Sequence, residues 1–365
     1  FANEKLVWSV LLFISFTGAL AFFVTSVLVA FSLPISCRIS GLLRACLMVG
    51  AASPLAMLLA AIVPAGVVGY AAGMGVSLTV LVPMALVIAS TLSRVVLSIS
   101  MPIRLVFMVT SAALVVDAAL GCPMCKFALP SSYQITAMRF YGIGNEYAGI
   151  LISMSAMACL FADARVRKWA TVLTGALVIV ILGMGSLGAN YGATLAAVVT
   201  FGLVGTAVWR GGFGARHVAA WFVIAFVLGA GLAFVDLRIA GSAASHAGRA
   251  AGFAERVGAV YLLELVSRKI MVNIRLAGTK QAGWVVMAFT PFLALWFWGI
   301  QGRVLKTLGK DPALVAGLKG ALIGAAAAFL FNDSGIVMAS IMIAMMLLVL
   351  VYSLLEKSEG GVCRG

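Results

Sequence analysis

Charged residues are scarce in this sequence. Only 10% of its 365 residues are charged, 64% are hydrophobic, and its mean hydropathy is +1.16. A soluble domain carries about 25% charged residues, so a soluble protein of this composition would expose large apolar patches to water. The scarcity of charge therefore excludes an ordinary soluble domain and indicates a protein whose solvent is lipid.

Other absences narrow the possible chemistry. No stretch alternates apolar and polar residues over about ten positions, which excludes an outer-membrane barrel. The only suggestive cysteine spacing is Cys122 and Cys125 in Cys-Pro-Met-Cys, and no second Cys/His pair completes a zinc site. We interpret these two cysteines as incidental thiols or a local disulfide, with a redox or metal role as the alternative. No nucleotide-binding loop or haem motif is present, so no cofactor is assigned.

Long apolar blocks of roughly 18–27 residues dominate the chain, and about 20 residues suffice to cross a membrane as a helix. They predict an all-α, polytopic transmembrane helix bundle with about eleven spans, which form a single domain over residues 1–355. The repeated small residues Gly320, Gly324 and Ala328 predict close contact between helices. The predicted spans are 6–32, 43–63, 66–92, 103–121, 146–163, 168–185, 190–209, 217–236, 283–301, 313–331 and 335–355.

Basic residues fall mainly in alternate loops, which predicts the orientation. By the positive-inside rule, these loops and the tail 356–365 are cytoplasmic and the N-terminus is outside. The net charge of +14 follows from this rule and requires no nucleic-acid partner. On the outer side, the long segment 237–282 contains apolar residues at spacings of three and four over 255–276. This spacing predicts an amphipathic helix at the membrane surface.

Four polar clusters all lie on the outer side in this topology. Asn145, Asn190 and the pair Asn332/Asp333 each stand where a span begins, which predicts that they cap the helices. If those spans pack together, three helix N-termini would converge on one vestibule that attracts an anion. The clusters are Arg139 to Glu146, Gly188 to Gly192, Asp236 to Arg249, and Asn332 to Gly335.

Phosphate is the anion that suits such donors and cations. We expect His246 or Glu146 to act as acid or base. Ordinary helix capping and structural ion pairs remain the alternative interpretation of these residues. Asp117, near the outer end of the fourth span, is a secondary candidate because a carboxylate inside a membrane is costly and often functional. The predicted substrate-binding residues are Arg139, Asn145, Asn190, Asp236, Arg249, Lys269, Asn332 and Asp333.

Four motifs together resemble an uncharacterised family of bacterial multispanning membrane proteins. They are Arg-Phe-Tyr-Gly-Ile-Gly-Asn-Glu at 139–146, Gly-Ala-Asn-Tyr-Gly at 188–192, Ser-His-Ala-Gly-Arg at 245–249 and Asn-Asp-Ser-Gly at 332–335. Members of that family often carry an extracytoplasmic alkaline-phosphatase-like region ahead of the membrane part. The resemblance implies a bacterial cytoplasmic membrane and phosphorylated envelope substrates, but it supplies no catalytic residues. Because the sequence begins at Phe1, we expect it to be part of a longer chain.

Three hypotheses follow for the function. The first is an outward-facing site for a phosphate-bearing substrate, such as a polyprenyl-linked glycan, which the protein would transfer, hydrolyse or present. The second is a secondary transporter, since capped helices and carboxylates near the bilayer are usual in transporters. The third is a non-catalytic anchor for an extracytoplasmic enzyme domain. Membrane lipids are expected partners under all three hypotheses.

Overall fold

The protein is all-helical in the part that the computed structural model describes. That part comprises residues 23–25, 27–28, 36–61, 102–128, 141–240, 260–277, 308 and 311–362. The helices are α1 (Cys37–Ala60), α2 (Pro102–Ala119), α3 (Pro123–Phe127), α4 (Asn145–Leu160), α5 (Ala164–Gly183), α6 (Tyr191–Arg210), α7 (Ala215–Ala240), α8 (Val260–Ala277), α9 (Pro312–Phe331) and α10 (Gly335–Val362).

Seven of the described helices are long and apolar enough to cross a membrane. They are α1, α2, α5, α6, α7, α9 and α10, and each coincides with a predicted span. The predicted spans 66–92 and 283–301, and most of 6–32, lie outside the described residues. The prediction of a polytopic helical membrane protein is confirmed, whereas the count of about eleven spans stays a prediction.

Helix α4 forms the centre of the bundle. It is 16 residues long, and every residue from Tyr147 to Leu160 is buried. It packs against α2, α5, α6, α9 and α10. A helix surrounded on all sides can be apolar all round, and this burial explains why α4 shows almost no separation of polar and apolar faces. It therefore holds the residues at its N-terminus in a fixed place relative to five neighbours.

The predicted small-residue contact is made between α6 and α9. A Cβ atom added at Gly320 would lie 3.0 Å from the Cβ of Leu203, and one added at Gly324 would collide with Thr200. Ala328 is fully buried in the same helix. Small residues let two helix backbones approach closely, which is how helices associate inside lipid. The start of α6 is thereby fixed beside the end of α9.

Helices α5 and α7 present apolar side chains outward. Only 6% of the membrane-length part of α7 is buried. The exposed residues of α7 include Val223, Phe226 and Val227, as expected of a helix that faces lipid. These two helices form the rim of the described bundle, whereas α4, α6, α9 and α10 form its interior.

Helix α8 coincides with most of the predicted amphipathic segment, whose residues 255–259 lie outside the described part. It packs against the end of α9 and the beginning of α10. One side of the helix is exposed, and it carries Ser267, Arg268, Met271 and Ile274. The helix is thus attached to the end of the bundle at which α4, α6 and α10 begin and α9 ends.

Candidate functional site at the asparagine end

Two glycine-containing loops are joined at the end of the bundle where α4 and α6 begin. The amide of Ile143 donates to the carbonyl of Gly188 over 2.7 Å, and the amide of Gly188 donates to Ile181 over 2.7 Å. Gly142 has φ of +78°, and a Cβ atom there would lie 2.8 Å from the carbonyl carbon of Gly188. Only glycine fits this close approach in the left-handed region. We call this end of the bundle the asparagine end, after Asn145, Asn190, Asn273 and Asn332.

Asn190 caps α6 as predicted, and it also joins the two loops. Its side-chain oxygen accepts from the amide of Ala193 over 3.1 Å. Its side-chain nitrogen donates to the carbonyl of Ile143 over 3.0 Å and to Oδ1 of Asn145 over 2.8 Å. The side chain is buried, so these bonds satisfy amide atoms that have no access to water.

The prediction that Asn145 caps α4 is wrong. Gly144 occupies the N-cap, with no side-chain capping bond, and Asn145 is the first helical residue. The side-chain nitrogen of Asn145 donates instead to the hydroxyl of Ser334 over 2.6 Å. A side chain in the first turn points towards neighbouring elements, and here the neighbour is the turn between α9 and α10. Asn145 therefore links three separate parts of the chain.

The prediction that Asn332 caps the last span is also wrong. Asn332 ends α9, and its amide nitrogen donates back to the carbonyl of Ala328 over 3.1 Å and contacts Sδ of Met338 at 3.4 Å. A Cβ atom added at Gly192 would collide with the Asn332 side chain. Asn332 thus packs against the first turn of α6, and its side chain caps no backbone amide at the start of α10.

Lys269 of α8 lies close to Asp333 in the turn after α9. The Lys269 ammonium donates to the carbonyl of Phe331 over 2.8 Å, and it lies 3.6 Å from Oδ1 of Asp333. The Asp333 side chain is 72% exposed, so water screens this ion pair and it contributes little stability. The hydrogen bond to Phe331 gives Lys269 a structural task besides the predicted contact with substrate.

Asn273 is a site residue that the sequence reasoning missed. It is fully buried, and its amide nitrogen donates to the carbonyls of Lys269, Phe329 and Asn332. Its oxygen accepts from the amide of Ile336 over 3.0 Å. A single amide thereby fastens α8 to both sides of the turn between α9 and α10. The available signal was an asparagine beside the apolar positions 270 and 274 of the amphipathic helix.

The other predicted site residues are less well placed. Glu146 is half-buried in the first turn of α4, next to Asn145. Asp236 belongs to the last part of α7, but its side chain lies outside the described residues, as do Arg139, His246 and Arg249. The structure therefore brings Asn145, Asn190, Asn332, Asp333 and Lys269 together at one end, and the predicted roles in substrate binding and catalysis stay predictions.

The Cys-Pro-Met-Cys segment lies at the same end and forms α3. The Asp117 carboxylate accepts from the amides of Met124 and Cys125 over 2.7 and 3.0 Å, so this buried acid caps a helical turn. Both cysteines are buried thiols that form no disulfide. Burial, and then the charge and hydrogen bond of Asp117, raise the pKa of the Cys125 thiol well above its ordinary value. The segment is a packed dithiol, which agrees with the interpretation as two thiols and not with the alternative of a local disulfide.

The opposite end of the bundle has a different chemistry. We call it the basic end, because Arg165, Arg167, Lys168, Arg210 and Arg216 lie there. Arg167 pairs with Asp311 over 2.6 Å and also donates to the carbonyl of Ala162, so the ends of α4, α5 and α9 are joined. Partial burial opposes ionisation of Asp311, but the hydrogen bonds from Arg167 and Leu314 hold the pKa of its carboxyl below the ordinary value.

Fold and composition together define a multi-pass helical membrane protein whose two ends are chemically distinct. Within the described ranges, no three His, Cys, Asp or Glu side chains are grouped so that they could hold a metal ion. Comparison of the chain with protein-family models, with curated proteins and with solved structures finds no significant match.

Proposed function

We propose that the asparagine end is an outward-facing site for an anionic, phosphate-bearing substrate, such as a polyprenyl-linked or envelope glycan intermediate. The protein would transfer, hydrolyse or present this substrate in the bacterial cytoplasmic membrane, with its N-terminus outside and its C-terminus in the cytoplasm. The observation that carries the proposal is the meeting of residues 142–145, 188–192, 269–273 and 332–336 through buried asparagine amides. An ordered group of polar residues at one end of a membrane helix bundle suits binding of a polar headgroup.

The contacts divide the predicted residues into two groups. Asn145, Asn190 and Asn332 use their amides on neighbouring protein groups, so their role is to position the loops. Phosphate would instead be neutralised by charged residues, because charge-assisted hydrogen bonds are the strong ones. A lysine ammonium has three donors. In Lys269 one of them donates to the carbonyl of Phe331, so the others can donate to the exposed carboxylate of Asp333 or to a phosphate oxygen.

Arg139 and Arg249 would supply the remaining positive charge. Arg139 lies three residues before Gly142 in the sequence, and Arg249 lies three residues after His246. Under this proposal His246 or Glu146 transfers a proton to or from the reacting oxygen. Glu146 follows Asn145 directly, so the amide network fixes the backbone of this candidate acid.

Substitution of His246 and Arg249 tests the proposal. Purified protein with His246→Ala or Arg249→Ala would be assayed for binding and turnover of polyprenyl phosphates and diphosphates. Loss of one charge-assisted contact costs about 1.5–3 kcal/mol, so Arg249→Ala should weaken binding roughly ten- to hundredfold. Matched controls are His217→Ala and Arg165→Gln, which alter the same residue types at the basic end. Binding and turnover that remain unchanged in both test variants would overturn the proposal.

A secondary transporter is the second candidate, and one observation favours it. The hydroxyls of Ser111 in α2, and of Tyr147 and Ser155 in α4, are buried without a hydrogen-bond partner. Buried groups of this kind usually contact water or a ligand. In proteoliposomes, uptake of a labelled solute driven by an ion gradient and reduced by Ser155→Ala would support transport. Absence of gradient-driven uptake, with lipid phosphate binding intact, would leave the first proposal.

A further inference from the structure

A cavity opens at the basic end, among α5, α6 and α9. Its volume is about 330 Å³, and its polar lining consists of Arg167, Lys168 and Asp311. Val208 and Pro312 contribute apolar atoms to the same cavity. The asparagine end lies at the other end of these helices, so this cavity is separate from the site proposed above.

The charged residues that line this cavity have a net charge of +1. Arg167 and Asp311 neutralise each other over 2.6 Å. Among the described residues Lys168 forms no ion pair, and its ammonium lies 5.0 Å from the centre of the exposed Trp209 ring. An ammonium stacked on an exposed aromatic ring keeps donors for an anion, since the ring attracts only one side of it.

An apolar stripe on the exposed side of α5 begins at Trp169, next in sequence to Lys168, and runs towards the middle of the helix. Its side chains are exposed by 47–67% and repeat at spacings of four, four and three, so they share one face of the helix. Trp169 begins the stripe and packs edge-on against Trp209, with ring centres 5.7 Å apart. Tryptophans are enriched at the membrane–water interface. The stripe consists of Trp169, Leu173, Leu177 and Val180.

We propose that Lys168, which lines the cavity, and this stripe together bind one anionic phospholipid. Lys168 contacts the phosphate group, the two tryptophans lie at the level of the headgroup, and an acyl chain covers Leu173 and Leu177. Basic pockets between transmembrane helices bind anionic headgroups in this way. A free phosphate ion would use the cation alone, whereas the exposed stripe that begins at Trp169, beside Trp209 and Lys168, fits the attached acyl chain.

Native mass spectrometry of the purified full chain tests this site. Phosphatidylglycerol would be titrated against the wild type, Lys168→Gln and the control Arg216→Gln, with phosphatidylcholine as the neutral comparison. Arg216 is exposed at the same end and does not line the cavity. We expect Lys168→Gln to weaken phosphatidylglycerol binding about fivefold, because one lysine near an anionic surface contributes about that much. Arg216→Gln should leave binding within about twofold of the wild type on the same basis.

A second variant distinguishes the lipid from free phosphate. Leu173→Ser should weaken phosphatidylglycerol binding and leave the binding of inorganic phosphate unchanged. Equal weakening by Lys168→Gln and Arg216→Gln would mean general charge attraction and would overturn the site. Inorganic phosphate that binds as tightly as the whole lipid, with no effect of Leu173→Ser, would overturn the choice of a lipid. Unchanged melting temperatures of the variants check that each remains folded, as expected for exposed side chains.

Discussion

Substitution of Asn190 separates two explanations of the asparagine end. Asn190→Ala removes three hydrogen bonds, one to the amide of Ala193, one to the carbonyl of Ile143 and one to Asn145. Side-chain hydrogen bonds in a membrane protein are worth about 0.6 kcal/mol on average and about 1.7 kcal/mol at most. We therefore expect Asn190→Ala to lower the free energy of unfolding by about 2–5 kcal/mol.

Asn190→Asp is the decisive companion. If capping were the only role, this variant would match the wild type, because Asp and Asn are equally good N-caps. If the hydrogen bonds to Ile143 and Asn145 also stabilise the fold, Asp cannot replace Asn. Its second oxygen would stand where a nitrogen now donates to the carbonyl of Ile143 over 3.0 Å and to Oδ1 of Asn145 over 2.8 Å. The residue is also buried, so an ionised carboxylate there is costly. We expect Asn190→Asp to destabilise the protein at least as much as Asn190→Ala.

Equilibrium unfolding by SDS in mixed micelles, followed by circular dichroism, measures both variants. Asp163→Ala is the matched control, because Asp163 is the exposed N-cap of α5 and its side chain makes no capping bond. It should change stability by less than about 0.5 kcal/mol, as surface substitutions usually do. An Asn190→Asp variant that unfolds together with the wild type would refute the network and leave only capping.

Three further predictions concern other contacts. Gly192→Ala should destabilise the protein by about 1–3 kcal/mol, because its Cβ would lie 2.7 Å from the carbonyl of the last residue of α9, whereas Gly205→Ala has room and should not destabilise it. Because the folded-state pKa of Asp311 lies below its ordinary value of 3.8, its carboxylate stabilises the fold above that pH, and this contribution is lost as the pH falls below it. The melting temperature should therefore fall more between pH 5 and pH 3 in the wild type than in Asp311→Asn, and equal losses would contradict the assignment. Since burial and Asp117 raise the pKa of Cys125, N-ethylmaleimide at pH 8 should label this thiol only after unfolding in SDS, and mass spectrometry of the peptide measures the label.

The sequence was sufficient to predict the helices, because hydropathy over about twenty residues is a local property. Most described spans agree with the observed helices within four residues at each end, as α9 at Pro312–Phe331 does with the prediction of 313–331, whereas α1 begins six residues earlier and α10 ends seven residues later than predicted. The Asn190 cap was also predictable, because capping depends on residues within the same turn. Gly320 and Gly324 predicted close contact of α9 with another helix, because small residues mark helix contacts in lipid, but they did not identify α6 as that helix.

The partners of the amides could not be predicted from the sequence. Asn145 and Ser334 are separated by 189 residues, and only the packing of α4 against α10 brings them together. The preference of asparagine for N-caps then gave the wrong answer for Asn145 and Asn332, because a tertiary partner replaced the local one. Asn273 was missed since periodicity assigns it to the edge of an amphipathic face and says nothing about the three carbonyls near it.

Neutral amides have a physical advantage over charged pairs at this end of the bundle. An ion pair taken out of water loses much of its hydration energy, whereas an amide presents donors and an acceptor at a smaller cost. The bonds also have a direction, since Asn190 donates to Asn145 and Asn145 donates to Ser334. Each of these side-chain amides already has a hydrogen-bond partner in the protein, so the network is stiff. It also carries no net charge. Under the proposed function, recognition of a phosphate would therefore come from charged residues, and this is why His246 and Arg249 are tested for function and Asn190 for stability.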